Sequence, residues 1–468
     1  MFSKSRFFLA SWILFLTGLW LPGTALAQGA APGVRSDRHV ILVSIDGLAA
    51  SYFDDPRAEM PTLRKLAAEG ARARGMLTSF PSVTWPSHTS LVTGVHPARH
   101  GVIGNNAWDR QQGRQVTYIG DPELSKDQAV KAPTIYDVAH AAGLTSAAVV
   151  WPCTTGAASL KWAIPDSDRA EIHARYTTRG LAEELKQAGI DLAQLVSWGW
   201  NKDYSVQRDQ VHAQIARHLV RTHKVNLTLL HLVNPDGVEH AYGPHTPPAY
   251  EAVAEADRQI AALWAGVNEG PLAGKVTLLV VSDHGFAPYT RFIRPNALFK
   301  SLGLVKTGER DQVTERKAWC VPQGGSAFVY VLDDAHKEEI LAQLKKELAA
   351  LEGVTAVLDA SQFARLGTPS PQANPQGADL VLLTGPGYSF AGTLTMPPVG
   401  DAGGLKGTHG HDPTPPYMHA TFIAAGTGIR RGVTLELIRN VDVAPTIAAL
   451  LGMTLPNVDG RVLSEILE

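Results

Sequence analysis

Asp236-Gly-Val-Glu-His240 places a carboxylate and an imidazole four residues apart, and Asp283-His284 sets the same two groups side by side. Two further imidazoles, His409 and His411, follow in Gly407-Thr-His-Gly-His-Asp412. Mixed imidazole and carboxylate donors suit zinc and other borderline divalent cations, whereas magnesium and calcium take all-oxygen shells. One His near one Asp means little, because hydrogen-bonded surface pairs are commoner than ligand pairs. Several such pairs point to two sites of zinc type. Two divalent cations roughly 4 Å apart can hold both the attacking and the leaving oxygen of an in-line displacement at phosphorus. That displacement needs a nucleophile, and Phe80-Pro-Ser-Val-Thr84-Trp-Pro-Ser-His88 supplies a candidate. It lies just before Ser90-Leu-Val-Thr-Gly94, which reads as the start of a helix. Thr84 alone would read as an N-cap. With its hydroxyl on a metal at a helix N-terminus, it would lose its proton near neutral pH and attack as an alkoxide.

These residues need a scaffold that brings them together. Continuous apolar runs at 40–45, 227–233 and 276–281 end at Asp46, Asn234-Pro235-Asp236 and Ser282-Asp283-His284. Unbroken rather than alternating apolar runs mark strands covered on both faces, as in a mostly parallel sheet flanked by helices. Residues 61–70, 248–266 and 442–452 carry helical spacing, the first with Pro at its start and Gly at its end. In open α/β sheets the ligand crevice lies beyond the carboxyl ends of the strands, so three strands aim carboxylates at one place. A single such Asp would read as a cap of the following turn. Residues 294–400 differ in character, with strands at 324–332, 354–358 and 379–383, a charged helix at 334–352 and a Pro/Gly-rich stretch at 367–377. They read as an inserted α+β cap ahead of the Gly-rich segment 403–407.

The rest of the composition sets limits. A chain of 468 residues, 45% hydrophobic and 18% charged, can bury a large core and is neither disordered nor a disulfide-stapled miniprotein. With 42 Lys and Arg against 44 Asp and Glu, there is no basic excess for dedicated nucleic-acid binding. Lys4 and Arg6 precede an apolar run at 7–21, a Pro-Gly break and Ala25-Leu-Ala27, the order of a secretory signal. Cleavage after Ala27 would leave no stable membrane anchor, and the mature protein is expected to be secreted or periplasmic. Cys153 and Cys320 are too few for a zinc knuckle. They would form one long-loop bridge or remain two buried thiols. Asn226-Leu-Thr228 fits a glycosylation acceptor, but it opens a strand expected to be buried.

The segments Ile45-Asp-Gly47, Thr84-Trp-Pro-Ser-His-Thr-Ser-Leu-Val-Thr-Gly94, His100-Gly-Val-Ile-Gly-Asn105, Pro235-Asp-Gly-Val-Glu-His-Ala-Tyr-Gly-Pro244, Ser282-Asp-His-Gly285 and His409-Gly-His-Asp412 resemble the alkaline phosphatase superfamily. Within it they are most similar to the nucleotide pyrophosphatase/phosphodiesterase branch, the type I phosphodiesterases. The resemblance runs in order from about residue 40 to 451 and is less specific in the cap. It implies an α/β fold, an alkaline-phosphatase-like mostly parallel sheet with helices on both faces and an inserted α+β cap. Residues 28–293 and 401–468 would form the catalytic domain, 294–400 the cap and 1–27 the signal peptide.

The same resemblance implies two Zn2+ per chain. Asp236, His240 and His409 would hold one, and Asp46, Asp283, His284 and the Thr84 oxygen the other. Asn105 matches the asparagine that donates to a phosphoryl oxygen beside a backbone N–H near the nucleophile. His411 competes with His409, which fills the His-Gly-X-Asp pattern. His88, His96, His100, His231, His245 and His419 receive no role. Two departures bear on substrate: Ser87 stands where these phosphodiesterases usually have Asn, and Trp85 where they usually have Phe. Trp85 keeps a surface that could stack on a base or simply wall the crevice.

Related monoesterases with a Thr nucleophile carry Lys and Arg two apart after the strand that corresponds to 145–150. Here Trp151-Pro-Cys153-Thr-Thr155 offers no cation. Because a monoester dianion calls for extra cationic donors, a phosphodiester, pyrophosphate or nucleotide substrate of small size is expected. Phosphomonoesterase, phosphonate hydrolase and choline-phospholipid phosphodiesterase activities are the alternatives.

Overall fold

The computed structural model describes residues 33–118 and 124–468. The segment 1–27, read as an export signal, lies outside the described residues. Eight strands make the main sheet: β1 His39–Ile45, β2 Ala71–Leu77, β3 Ser146–Val149, β4 Trp162–Ile164, β5 Leu227–Leu232, β6 Val276–Val281, β7 Phe422–Gly426 and β8 Val433–Arg439. Their order across the sheet is β8-β2-β7-β6-β1-β5-β3-β4. All neighbours are parallel except that β7 runs against both β2 and β6.

The apolar runs explain the central position of β1, β5 and β6, every residue of which is buried. On β1, Ile41, Val43 and Ile45 face one core, which α3 Ser205–His223 and α5 Pro247–Val267 complete with Ile215, Leu219, Val253 and Ile260. Val40 and Leu42 face the other, closed by Leu91 and Val92 of α2 Thr84–Thr93 and by Ile447 of α6 Val443–Leu450. The helix expected at 61–70 is α1 Pro61–Glu69, which packs Leu63 and Leu66 into the first of these cores. The remaining helix used below, α4 Asn234–Tyr242, follows β5 directly.

Between β6 and β7 the chain leaves the main sheet. Ala318–Pro322, Ser326–Val331, Leu380–Thr384 and Val354–Asp359 pair in that order as an antiparallel sheet. Helix Lys337–Ala349 covers one face through Ile340, Leu344 and Leu348. The other face carries Phe328 and Val381 against Phe80, which precedes α2, and Ile103 and Trp108, which follow it. The charged helix expected over 334–352 is shorter, because Asp333 accepts from the His336 N–H and caps a 3-10 turn first. The Gly-rich segment 403–407 lies inside strand Val399–Thr408, which bulges between Asp401 and Lys406 against Ala287–Ile293.

One reading of the sequence is corrected and one that it left open is decided. Residues 90–94 end a helix rather than start one. That helix opens at Thr84, with Pro86 in its first turn, where a missing N–H costs nothing. Gly94, at φ 68°, closes it by donating its N–H to the Ser90 carbonyl. The two cysteines are free, buried thiols, and burial pushes Cys153 up to about 12.

Asn226 does structural work that its sequence context did not reveal. Its Nδ2 donates to the carbonyls of Ser36 and Arg38 at 2.8 and 3.0 Å, and its Oδ1 accepts from the Thr145 N–H at 3.1 Å. The amide thereby ties together the entrances of β1, β3 and β5, and at 7% exposure it is withdrawn from any glycosyl donor. Asn226→Ala should cost about 1–3 kcal/mol for each group left buried without a partner. A fall in the denaturant midpoint with unchanged activity of the folded fraction is the expected result, and an unchanged midpoint contradicts it.

Candidate active site

Asp46, Asp236 and the Asp283-His284 pair follow the carboxyl ends of β1, β5 and β6, which lie on one edge because the strands are parallel and in register. Each is held by the backbone around it. Asp283 Oδ1 accepts from the Gly47 N–H at 3.1 Å, joining the β1 and β6 ends. Asp236 lies in the first turn of α4, whose entrance is fixed by the Asp209 carboxylate accepting from the Val233 and Asn234 N–H groups, both at 2.9 Å. One helical turn on, His240 projects to the same side as Asp236.

The third imidazole comes from far along the chain. Strand Val399–Thr408 pairs Thr408 with Ala287, three residues after His284, and so delivers His409 to the same edge. His240 Nδ1 is 3.0 Å from the Gly407 carbonyl, and His409 Nδ1 is 3.2 Å from the Ser82 carbonyl. A carbonyl can only accept, so both rings carry their proton on Nδ1 and present a free lone pair at Nε2.

The ligand-capable atoms gather into two groups. His240 Nε2 and His409 Nε2 are 3.1 Å apart, and they lie 3.3 and 3.5 Å from Asp236 Oδ1. His284 Nε2 is 3.3 Å from both Asp46 Oδ1 and Asp283 Oδ2. Ligands about 2.0–2.1 Å from a tetrahedral centre are separated by roughly 3.3 Å. The second observation is chemical: Asp46 Oδ1, Asp236 Oδ1, Asp283 Oδ2 and His284 Nε2 are buried without a hydrogen-bond partner. Buried polar atoms are ordinarily paired, so atoms left bare and facing one another at ligand spacing fit divalent cations. Their mixed N/O character suits zinc.

The electrostatics agree. Burial pushes the carboxyls of Asp46 and Asp283 well above the usual range, Asp236 adding to the first and Asp46 to the second. Burial drives His409 down to about 3 and His284 far below its ordinary value, with neighbouring imidazoles pushing the same way. For Asp236, burial is outweighed by His240, His409 and His284, which hold its carboxyl low. Asp236 in turn raises His240 against the effect of burial, so this pair favours charge, whereas Asp46, Asp283, His284 and His409 are each pushed toward the neutral form, a set that a cation would compensate.

Thr84 lines the adjoining cavity of about 450 Å3 together with Asp46, Asp236, His240 and His409. It is the first residue of α2, so the N–H groups behind it have no partners within the helix. Asn105 Oδ1 takes the first of these, accepting from the Trp85 N–H at 2.9 Å, which leaves the Asn105 amide N–H groups as donors at the cavity wall. Ser87 donates to the Asp283 carbonyl at 2.6 Å and accepts from Asn440 Nδ2, so this departure from the usual Asn is a tie between α2 and the β6 end. Trp85 is 5% exposed and lines the cavity edge. His411 is fully buried away from both groups, its ring edge-on to Tyr417.

Several residues of the site have no counterpart in the sequence reading. His231 was assigned no role, yet its Nε2 lies 2.9 Å from Asp46 Oδ2 and orients that carboxylate. An imidazole inside an otherwise apolar run was the available signal. Glu239 is fully buried between Asp236 and His240, accepts from the Tyr52 hydroxyl, and is held well above its usual range by burial. Asp166, Trp200, Lys202, Arg208 and Tyr242 also line the cavity. The absence of cations at Trp151-Pro-Cys153 therefore does not leave the cavity without them.

A family model described as type I phosphodiesterase / nucleotide pyrophosphatase matches residues 40–412. Human ectonucleotide pyrophosphatase/phosphodiesterase family member 7 is 25% identical over 460 residues, covering 94% of this chain and 86% of that protein. An uncharacterized pyrophosphatase/phosphodiesterase of Schizosaccharomyces pombe is 26% identical over 423 residues, covering 88% and 77%. Bis(5'-adenosyl)-triphosphatase enpp4 of Xenopus laevis is 23% identical, covering 92% and 81%. Among solved structures, murine ectonucleotide pyrophosphatase/phosphodiesterase 5 superposes with a TM-score of 0.67 at 20% identity, over 92% of this chain and all of that one. An inactive Thr-to-Ala variant of that protein, in complex with AMP, superposes equally well. The chain belongs to the type I phosphodiesterase / nucleotide pyrophosphatase family of phosphodiester- and pyrophosphate-cleaving hydrolases, on an alkaline-phosphatase-like fold.

Proposed function

We propose that this protein is an exported, zinc-dependent hydrolase of nucleotide-type phosphodiesters and pyrophosphates that works through a covalent phosphothreonine at Thr84. The observation that carries the reading is the pair of ligand groups with bare, converging atoms beside a threonine at a helix N-terminus. Asp236, His240 and His409 would hold one zinc, and Asp46, Asp283, His284 and the Thr84 oxygen the other. When bound, the two cations would supply Lewis acidity toward oxygens on phosphorus and toward the threonine hydroxyl.

The chain's own groups then divide the work. Thr84 loses its hydroxyl proton and its oxygen forms a bond to phosphorus as the bond to the leaving alcohol or nucleotide breaks. Asn105 donates from its amide to a phosphoryl oxygen, where charge grows in the transition state. Water resolves the phosphothreonine ester, returning the proton to Thr84 and releasing the nucleoside monophosphate. Lys202 is close enough to oppose the protonation of His240. It therefore stands on the side of Asp236 and His240, where a leaving phosphate would need a cation. The AMP complex of the structural relative supports a nucleotide in such a cavity, and its inactive Thr-to-Ala variant supports a threonine nucleophile.

Residues 294–400 are proposed as the cap that shapes access to this cavity, with 28–293 and 401–468 as the catalytic unit. Export rests on the order of charged, apolar and small residues in 1–27. No helix among the described residues is long and apolar enough to cross a membrane.

Exhaustive chelation should abolish turnover and zinc should restore it. Full activity in metal-free enzyme, checked by elemental analysis, would end the two-metal reading. Thr84→Ala should lower kcat by orders of magnitude while the fold persists, whereas Thr84→Ser should retain a measurable part. Intact mass after rapid quench with a nucleotide diester should show a chain carrying a nucleoside monophosphoryl group in the parent and an unmodified chain in Thr84→Ala.

The parent should cleave a nitrophenyl nucleotide diester with higher kcat/KM than the corresponding monoester, and the reverse order would reassign it as a phosphomonoesterase. Lys202→Met should reduce kcat/KM for a dinucleoside polyphosphate more than for a simple aryl diester. Trp85→Ala should raise KM for nucleotide diesters selectively, since stacking on a base is worth about 1–3 kcal/mol. Equal losses on nucleotide and simple diesters would show that Trp85 walls the cavity without reading the base.

A further inference from the structure

A third cluster of metal-ligating side chains lies away from the cavity. Helix Leu181–Gln187 presents Glu184, and α3 presents His218 and, at its last residue, His223. His218 Nε2 and His223 Nε2 each lie 2.7 Å from the same Glu184 oxygen, Oε1. The side chains are 34%, 17% and 25% exposed, so the cluster is half-buried with one side open to water.

The surrounding packing fixes where these groups stand. Leu181 and Leu185 flank Glu184 and are buried in the core that also takes Ile215, Leu219 and Val220 of α3. That shared core locks the two helices against each other. The His223 ring stacks on Trp162 of β4 at 4.4 Å and 25°, which limits its rotation. The His218 ring stands edge-on to it at 6.3 Å.

We propose that Glu184, His218 and His223 form a peripheral site for a zinc-class divalent cation. Two imidazoles and one carboxylate are a donor set that zinc takes when a water fills its fourth position, and the open side leaves room for that water. The contrast with the catalytic groups is informative. There the ligand atoms stand about 3.3 Å apart with no hydrogen between them, while here they stand at hydrogen-bond distance. In the metal-free cluster each ring donates an N–H to Glu184. On metal binding each ring would exchange its Nε2–H for the Nδ1–H tautomer through solvent, freeing the Nε2 lone pair, and the ligand atoms would separate by roughly 0.6 Å to reach tetrahedral spacing. Half-exposed side chains on two helices can make that movement without disturbing the core. The cation would staple helix Leu181–Gln187 to the C-terminal turns of α3. The chain that continues from that segment supplies Trp200 and Lys202 to the cavity wall.

The test is zinc binding to the full-length mature enzyme, with parent, His218→Ala and Glu184→Gln compared by equilibrium dialysis at micromolar free zinc and elemental analysis. The parent should bind one equivalent more than either variant, and both variants should keep the parent's turnover of an aryl diester. Equal zinc content in the parent and a folded variant overturns the site. If His218→Ala does not fold, Glu184→Gln decides alone, because it keeps the shape and one acceptor. The result is a difference between proteins that share both catalytic clusters. Failure of the two-metal reading would lower every total and leave that difference intact.

Discussion

Carboxylates at the ends of buried strands are expensive unless something positive meets them. Asp46 and Asp283 are 2% and 0% exposed and lie on adjacent strand ends; burial raises both carboxyls, with Asp236 adding to the first and Asp46 to the second. No Lys or Arg side chain is paired with any of the three among the described residues; the near basic groups are imidazoles, of which burial lowers His284 and His409, while at His240 burial is outweighed by Asp236. A protein interior does not hold such a set as anions without compensation. The site is therefore stable as drawn only when protonated or when cations are bound, and the bare, converging lone pairs favour cations.

The surrounding structure serves that requirement. Parallel register puts Asp46, Asp236 and Asp283 on one edge, and short ties then prevent each from turning away. Gly47 N–H holds Asp283, His231 holds Asp46, and backbone carbonyls of Gly407 and Ser82 fix which nitrogen His240 and His409 present. Ser87 couples the nucleophile helix to the same network, because its hydroxyl bonds the Asp283 carbonyl. Thr84 is thus located relative to the ligand-capable groups through one side chain that is not among those lining the cavity.

The parts of this arrangement legible in the sequence were those with strong local signals. Asp46, Asp236 and Asp283 each end an unbroken apolar run, and the central strands appeared within a residue or two of their observed bounds. Strand β2, Ala71-Arg-Ala-Arg-Gly-Met-Leu77, was not recognised, because its outer residues are charged and partly exposed. The helix at 84–93 reads from the sequence as starting only at Ser90, six residues late. His231, Glu239 and Lys202 were invisible for a different reason. Their roles come from partners 185, 187 and tens of residues away, and a polar side chain in an apolar context does not announce what it meets.

His409 shows how much a distant candidate ligand demands of the backbone. It arrives after an excursion of more than a hundred residues, and its position depends on contacts too close for any side chain. The Gly325 N–H donates to the His409 carbonyl at 2.7 Å, and Gly410 N–H donates to the Ser82 carbonyl at 2.8 Å. A Cβ at Gly324 would come within 2.3 Å of the His409 oxygen, and one at Gly410 within 1.7 Å of the Gln323 oxygen. Both residues also adopt positive φ, 80° and 83°, where other side chains are strained. The inserted sheet thus grips the ligand by its backbone on one side, while the nucleophile segment grips it through Ser82 on the other. Since the same sheet buries Phe80 and Trp108 on its far face, movement of the insert would displace the nucleophile segment and the third imidazole together. The insert, the segment that opens α2 and His409 are therefore joined through shared packing and backbone hydrogen bonds, while Trp200, Lys202 and Tyr242 of the cavity lining come from other parts of the chain.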